Sequence, residues 1–393
     1  MSISEASFER WIDTRHPAED SVVLRYMNVL RFEDSEDRDA QFKQWLKKTS
    51  IQEGSRIFPL IEYRGVKIHL MDETSRMHTH TLKSIDGCVS IAKCKLKGYE
   101  KVVFESGANT GTALSVYGAN AKLQTYFFLP EENLTLVDRN ILTSSNTHLI
   151  SVDHPGFVKR AARLYGRMSG ARHIPETSWR YQASQVRGCF VLEHVLGHGR
   201  FDWLTQSVSA AFGPIGIFKM LWKYEREAGK PPRFLGIQQE ENCPIYRAWN
   251  NGSGKIKPVP VESTSRLLTK AMYDFAPHTY GTYADLKDLL HRTNGGMTTV
   301  NRREFEVFLG QRFCGQSILE ILRTNGIDIG PGVVETTGLM ALAGTLKEID
   351  KGSIPTGTKI LCCLTSGISA SDGKAEPERR LRSGRVRQEF SVT

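Results

Sequence analysis

The chain has 393 residues, of which 40% are hydrophobic, 9% aromatic and 24% charged, a composition that excludes disordered, collagen-like and disulfide-stapled proteins. The 52 Lys and Arg against 43 Asp and Glu give a formal net charge of +9, which suits an anionic partner of some kind. No apolar run reaches the roughly 18 residues of a membrane span. The seven cysteines have neither metal-knuckle spacing nor a paired framework.

The N-terminal region predicts a helical and extended preface over residues 1–56, with a helix at 40–48. Its opening segment, MSISEASFERWIDTRH, is polar and acidic where a signal peptide is basic and then apolar, so we expect a cytoplasmic protein. Two extended runs follow at 57–63 and 66–73, separated by a turn at Arg64 and Gly65, and predict a hairpin or adjacent strands.

From about residue 84 helical and extended patterns alternate. The predicted helices are 84–96, 110–122, 156–169, 216–227 and 338–350, and the predicted strands are 101–106, 125–131, 149–153, 203–208, 234–239 and 359–366. Strands joined through helices indicate right-handed crossovers and largely parallel sheets, hence an α/β fold. Residues 374–393 are charged and poor in apolar side chains, and predict a flexible basic tail.

Three loops follow predicted strands and lead towards helices, where parallel sheets bind their ligands. In the first, 105–111, free amides at a helix start favour an anion, and an acid at Glu105 is not needed for the turn. The second, 209–216, has glycines suited to a phosphate cradle but lacks the P-loop and dinucleotide fingerprints. The third, 362–367, ends a strand with hydroxyls. Taken singly, each loop is equally compatible with an ordinary turn or helix cap.

A lysine opens the apolar helix at 84–96. Cations are disfavoured at that end of the helix dipole, so Lys83 is unusual there. It either extends its amine into solvent, as most lysines do, or carries chemistry as a Schiff base.

In this order the motifs resemble the fold-type II pyridoxal-phosphate enzymes, the tryptophan synthase β superfamily. TLKSIDG resembles the lysine motif S-F-K-D-R-G, SGANTG resembles S-S-G-N-T-G, GPIGI resembles the phosphate loop, and LTSG resembles the late L-T-G turn. FPLI, MDE and VVETTGLMALAG also agree with threonine synthase, whereas TQSVSAAFGPIGI and NCPIYRAW lean towards cysteate synthase. The resemblance covers 57–373. It implies two parallel-sheet lobes, the smaller at about 90–175, with pyridoxal 5'-phosphate in the cleft between them.

The resemblance also implies roles for individual residues. Lys83 would form the Schiff base and move the substrate α-proton, and Glu105, which matches an acid in the tryptophan synthase β loop, would act in general acid–base catalysis. The other cofactor-binding residues would be Asn109 at the phenolic oxygen, Gly213, Pro214, Ile215 and Gly216 around the phosphate, and Thr365 or Ser366 at the ring nitrogen. The substrate carboxylate would be held by Ser106, Gly107, Ala108 and Thr110.

The implied activity is elimination and replacement on an activated amino acid such as O-phosphoserine or O-phosphohomoserine. The family's Asp-Arg after the lysine is Ser84 and Ile85 here, and Phe212 enters the phosphate loop, which leaves the substrate open. The alternatives are a serine or threonine dehydratase of the same fold, a catalytically dead relative, or a binding protein that uses the basic tail.

We expect a small anionic substrate, a homodimer, and neither a membrane nor a nucleic-acid partner. His194 and His198 lie four apart on a predicted helix, a spacing that suits a metal, but no third ligand is evident and we expect no metal site.

Overall fold

The structure is a computed structural model that describes residues 7–32, 36–137, 142, 144–259, 261–327, 336–366 and 375–383. Two sheets and a small hairpin, β10 (Arg312–Phe313) with β11 (Gln316–Ser317), make up its strands. The larger sheet has six strands in the order β1-β2-β12-β7-β8-β9, namely β1 (Arg56–Tyr63), β2 (Val66–Asp72), β12 (Lys359–Leu364), β7 (Trp203–Ser207), β8 (Arg233–Gln239) and β9 (Gly296–Val300). The first two pair antiparallel and the remaining pairs are parallel.

The smaller sheet has five strands, all parallel, in the order β13-β5-β4-β3-β6. These are β13 (Arg379–Leu381), β5 (Thr147–Val152), β4 (Gln124–Pro130), β3 (Lys101–Glu105) and β6 (Arg172–His173). The central residues of the three inner strands β3, β4 and β5 are mostly apolar and buried, as parallel strands covered by helices require.

Helices connect the strands and cover the sheets. The α-helices are α1 (Val22–Arg25), α2 (Glu36–Thr49), α3 (Lys83–Leu96), α4 (Asn109–Asn120), α5 (Val158–Ser169), α6 (Thr177–His198), α7 (Phe212–Lys223), α8 (Glu225–Ala228), α9 (Pro244–Asn250), α10 (Tyr283–Arg292), α11 (Arg302–Gly310), α12 (Ile318–Thr324) and α13 (Thr337–Asp350). Short 3-10 helices lie at Phe8–Trp11, Met27–Val29, Glu131–Leu136, Pro155–Phe157, Glu240–Asn242, Thr264–Arg266, Lys270–Met272 and Pro277–Tyr280. Among the described residues, no helix combines the length and apolarity needed to cross a bilayer.

The predicted α/β fold with largely parallel sheets is confirmed. One continuous core joins the sheets, since Phe104 of β3, Ile217 of α7 and Leu361 of β12 belong to the same buried cluster. One boundary differs at the site, since α7 begins at Phe212 and not at residue 216. Pro214 lies in the first turn of α7, where proline is tolerated because its missing N–H has no intrahelical partner.

Within the predicted flexible tail, the structure differs from the prediction at residues 379–381. Residues 379–381 form β13 and pair in parallel with 150–152 of β5, and Leu381 is buried in the core of the smaller sheet. The charged side chains alternate with this apolar one, and Arg380 is paired with Glu376 at 2.9 Å. A strand at a sheet edge needs only one buried face, so its sequence is polar enough to look like a tail. Residues 374 and 384–393 lie outside the described residues.

Candidate active site

The carboxyl ends of β3, β7 and β12 open onto one cavity of about 190 Å³. Residues from all four sequence motifs line it, although these motifs are far apart in the chain. The predicted site residues at this cavity are Lys83, Glu105, Ser106, Gly107, Asn109, Thr110, Gly213, Pro214, Thr365 and Ser366.

The turn that carries Lys83 is fastened to the end of β12. The backbone N–H of Leu82 donates to the carbonyl oxygen of Thr365 at 2.9 Å, and Thr81 forms an isolated antiparallel bridge with Ser366. The Lys83 N–H donates to the Thr81 hydroxyl, also at 2.9 Å. These bonds fix the start of α3 beside the hydroxyls of Thr365 and Ser366, so the lysine and the strand end reach the cavity together.

The surroundings of Lys83 favour the neutral form of its amine. Its Nζ lies 3.0 Å from Asp86 Oδ2, and the lysine side chain is 23% exposed. Burial lowers the pKa of Lys83 below its ordinary value and the cations Arg180 and Arg187 act in the same direction, while Asp86 opposes them. A larger neutral fraction makes the amine a better nucleophile towards a carbonyl carbon.

The loop after β3 is held in one conformation by contacts to its backbone. The Ser106 hydroxyl accepts from the Ala108 N–H at 3.2 Å, and Asn133 donates to the Gly107 carbonyl oxygen at 2.7 Å. A Cβ on Gly107 would overlap the carbonyl oxygen of Ala271, so glycine is required for this close approach. Ala108 itself is buried and does not line the cavity, and its N–H donates to Ser106 within the loop.

Glu105, the last residue of β3, makes a carboxylate–imidazole pair. His173 Nε2 donates to Glu105 Oε2 at 2.6 Å, with the Glu105 side chain 9% exposed and the His173 side chain 38% exposed. In the parallel register of β3 and β6, Val103 lies beside His173. Glu105 lies two residues after Val103 on the same face of β3, so its side chain can reach His173. Both residues line the cavity.

The glycine-rich segment at 209–216, predicted as a loop, contains the first turn of α7. Ala211 adopts a left-handed conformation with φ of 62°, α7 then begins at Phe212, and residues 209–214 line the cavity. The first N–H groups of a helix have no intrahelical acceptor and attract anions. Ile215 is 2% exposed within the core and Gly216 packs against Ser184 of α6, so the structure does not bring these two residues to the cavity.

A buried ion pair supports this helix start. Arg187, 1% exposed, donates from Nε and Nη2 to the two carboxylate oxygens of Glu73 at 2.5 and 2.6 Å. Its Nη1 is buried and has no hydrogen-bond partner among the described residues. A Cβ on Gly213 would overlap that Nη1, so glycine lets the guanidinium pack directly beneath the first turn of α7.

Several residues that line the cavity were not predicted as site residues from the sequence: His173, Lys159, Arg180, Tyr273, Asp274 and Tyr280. Lys159 Nζ lies 2.7 Å from Asp274 Oδ2, and the guanidinium carbon of Arg180 lies 4.2 Å from the centre of the Phe212 ring. Burial raises the pKa of Tyr273 and Tyr280 well above the ordinary value, and the carboxylates of Asp274 and Glu105 add to the effect. These residues come from β6, α5, α6 and the 270–280 segment, where no motif indicates a ligand.

Comparisons with known proteins agree with this geometry. No family model matches the chain. Cysteate synthase from Methanosarcina barkeri is 23% identical over 322 residues, 78% of this chain and 72% of that protein. Threonine synthase from Escherichia coli superposes with a TM-score of 0.67 at 11% identity, covering 100% of this chain and 91% of that one. A pyridoxal 5'-phosphate-dependent aspartate racemase superposes with a TM-score of 0.58 at 13% identity, covering 86% of this chain and 97% of that one.

The fold is therefore that of the fold-type II pyridoxal-phosphate enzymes, and the resemblance to threonine synthase and cysteate synthase drawn from the motifs is confirmed.

The cavity has donors suited to this cofactor. The Ser366 hydroxyl is buried at the end of β12 without a hydrogen-bond partner in the described part of the chain, as a residue awaiting a ligand atom would be. The start of α7 offers unpaired N–H groups for a phosphate, and Lys83 offers an amine with a lowered pKa. An amine, a hydroxyl and a helix N-terminus around one cavity match the aldehyde, ring nitrogen and phosphate of pyridoxal phosphate.

Proposed function

We propose that this protein is a pyridoxal-phosphate-dependent lyase or synthase that performs elimination and replacement on an amino acid with a leaving group. The observation that carries the proposal is the convergence of Lys83, the Ser366 hydroxyl and the start of α7 on one cavity. Pyridoxal phosphate, when bound, supplies an electron sink for the carbanion formed at the substrate α-carbon.

The chain's own residues divide the remaining work. Lys83 holds the cofactor and moves the substrate α-proton with its Nζ, while Asn109 supports the ring oxygen. Ser106, Gly107 and Thr110 hold the substrate carboxylate at the start of α4, where N–H groups favour an anion. Thr365 and Ser366 offer neutral hydroxyls to the ring nitrogen. Because a hydroxyl does not keep that nitrogen protonated, the site favours chemistry at the substrate side chain over transamination.

Arg180 supports an anionic substrate. Its Nε is buried without a partner among the described residues, and its contact to Asp86 is long, at 3.8 Å. Among the described cations that line the cavity, Arg180 has the longest ion pair, whereas Lys159 is held by Asp274 at 2.7 Å. A phosphate or similar group on the substrate, as in O-phosphoserine or O-phosphohomoserine, would complete its hydrogen bonds.

An absorbance spectrum and a substrate screen test the proposal. Purified protein should be yellow, and O-phosphoserine and O-phosphohomoserine should each be assayed with sulfite, with a thiol and without an added nucleophile. Product that requires the nucleophile identifies replacement, whereas 2-oxo acid formed without it identifies the dehydratase alternative. Protein without the cofactor absorbance after reconstitution would refute the proposal.

The Arg180→Gln variant separates the two anions that this residue could meet. A raised KM for a phosphorylated substrate with unchanged cofactor affinity assigns Arg180 to the substrate, and weaker binding of pyridoxal phosphate assigns it to the cofactor. The homodimer, the cytoplasmic location and the catalytic-domain limits at 57 and 373 stay predictions.

A further inference from the structure

Glu105 lines the cavity and pairs with His173 through one of its two carboxylate oxygens. Its Oε2 accepts the 2.6 Å bond from His173 Nε2, and within the described residues its Oε1 makes no hydrogen bond. The carboxyl group therefore has one oxygen available for a reacting group and one committed to an imidazole. The carboxylate is nearly buried, so it has little direct exchange with bulk water.

His173 connects this site to a second depression. Among the described residues it lines both the catalytic cavity and an outer groove formed with Tyr99, Lys101, Arg163, Arg167 and Arg172. Its side chain is 38% exposed, against 9% for Glu105. The imidazole thus spans the boundary between the enclosed carboxyl group and the open surface.

We propose that His173 is a positioning residue that orients Glu105 and exchanges its proton with solvent. The inference rests on the proposed function. As a leaving group departs, the Glu105 carboxyl gives its proton to the leaving oxygen and becomes a carboxylate. His173, as imidazolium, gives the Nε2 proton to Glu105 Oε2, and rotation of the carboxyl group turns this proton towards the cavity. His173 then takes a new proton from hydronium or from a buffer acid in the groove. One proton enters from solvent for each proton lost to the leaving group, so the step balances.

The charged groups around the pair leave this task to the imidazole. Tyr273 and Tyr280 interact electrostatically with Glu105, and the same cavity is lined by Asp274, Lys159 and Arg180. The groove presents the cations Lys101, Arg163, Arg167 and Arg172 together with the carboxylate Glu100. Lysine, arginine and tyrosine side chains hold their protons near neutral pH, whereas histidine can gain and lose one there. Cations in the groove also attract an anionic product or buffer, which aids exchange.

His173→Gln tests the proposal, with His148→Gln as a matched control. His148 pairs with Glu378 through its own 2.6 Å contact in the same sheet but does not line the cavity. We expect His173→Gln to lower kcat by about 10-fold to 100-fold, with KM and cofactor absorbance unchanged and with altered pH dependence of kcat. His148→Gln should keep wild-type turnover.

A second variant guards against a purely structural effect. His173→Gly should lose activity and regain part of it in added imidazole, which a packing role would not do. The inference is overturned if the His173 variants turn over as fast as His148→Gln. It is also overturned if both His173 variants have a lower melting temperature and a loss of activity that added imidazole does not restore. Borohydride labelling of Lys83 in the wild-type protein distinguishes failure of this inference from failure of the proposed function. If the enzyme is labelled and active but substitution of His173 leaves turnover unchanged, only this inference is refuted. If no label is found, the proposed function is refuted.

Discussion

Lys83 is the residue on which the chemistry depends. We expect Lys83→Ala to abolish turnover while the protein stays folded, because the lost amine lines a cavity and, among the described residues, hydrogen-bonds to Asp86 alone. An acid–base role alone is worth about 10²-fold to 10⁴-fold, and the covalent role is lost with it. The measurement is steady-state turnover, with Lys95→Ala on the same helix as control. Borohydride reduction should attach the cofactor to the Lys83 peptide of wild type, and attachment to another lysine would contradict the assignment.

Glu105→Gln should retain cofactor binding and slow elimination or nucleophile addition by about 10²-fold or more. The amide keeps the size of the side chain but cannot deliver a proton. Rapid-scan absorbance with the true substrate follows each step, and a block after substrate binding is expected. If the pair with His173 serves only stability, the intermediates will form at wild-type rates and the melting temperature alone will fall.

At the scale of residues, the motif positions were predictable and their neighbours were not. Lys83, Ser106, Gly107, Asn109 and Thr365 lie in short segments whose order carries a signal. His173 and Arg180 reach the same cavity from β6 and α6 through sheet register and helix packing, and no local pattern announces such long-range placement. Ile215 and Gly216 were predicted around the phosphate but do not line the cavity, because the motif shows neither where the helix begins nor which side of it faces the cavity.

At the scale of elements, Gly216 reports how closely α6 and α7 pack. A Cβ there would overlap the Cβ of Ser184 and leave the cavity lining untouched. We expect Gly216→Ala to lower the free energy of unfolding by about 1–3 kcal/mol, the usual cost of overpacking. Gly197→Ala is the control, since this glycine is also helical but a Cβ at that position meets nothing within 4 Å. Urea denaturation compares the two, and equal stability would show that the helices can separate without cost.

The edge strand β13 allows a second test of an element that the sequence pattern concealed. Leu381 is 2% exposed against Ile150 and Val152, whereas its neighbour Arg380 is largely exposed. Leu381→Ala should cost about 2–5 kcal/mol of unfolding free energy, and Arg380→Ala about 0–1 kcal/mol. Chemical denaturation of both variants measures the difference. Similar midpoints would mean that residues 379–381 add nothing to the smaller sheet, as the flexible-tail prediction assumed.

At the scale of the whole molecule, most of the architecture could be predicted because alternating helices and strands allow few arrangements. The right-handed crossover rule turns β3-α4-β4 and β7-α7-β8 into parallel neighbours, and both pairs are observed. The strand order across each sheet could not be obtained in this way. β12 lies between β2 and β7, and β13 returns to the edge of the smaller sheet, through contacts between segments far apart in the chain.

The acid stability of the whole molecule should depend on a histidine cluster remote from the cavity. His194 on α6 stacks with Phe201 at 5.5 Å, and burial lowers its pKa from 6.5 to about 4, with His198, Lys359 and His69 adding to the shift. The unfolded chain binds a proton at His194 near pH 6.5 and the folded chain does so only near pH 4. Between these values the unfolded state holds more protons, so the free energy of unfolding must fall as pH falls from about 6.5 to 4.

His194→Gln removes this titration, and the variant should lose less stability than wild type between pH 7 and pH 5. Urea denaturation at the two pH values gives the change for each protein, so that other titrating groups cancel in the comparison. His278→Gln serves as control because His278 is exposed on the surface. The expected result is a shallower pH dependence for His194→Gln alone. A slope equal to that of wild type would mean that the folded protein accepts a proton at His194 as readily as the unfolded chain does. Neither the burial of this imidazole nor the charge of His198, Lys359 and His69 would then affect the free energy of unfolding.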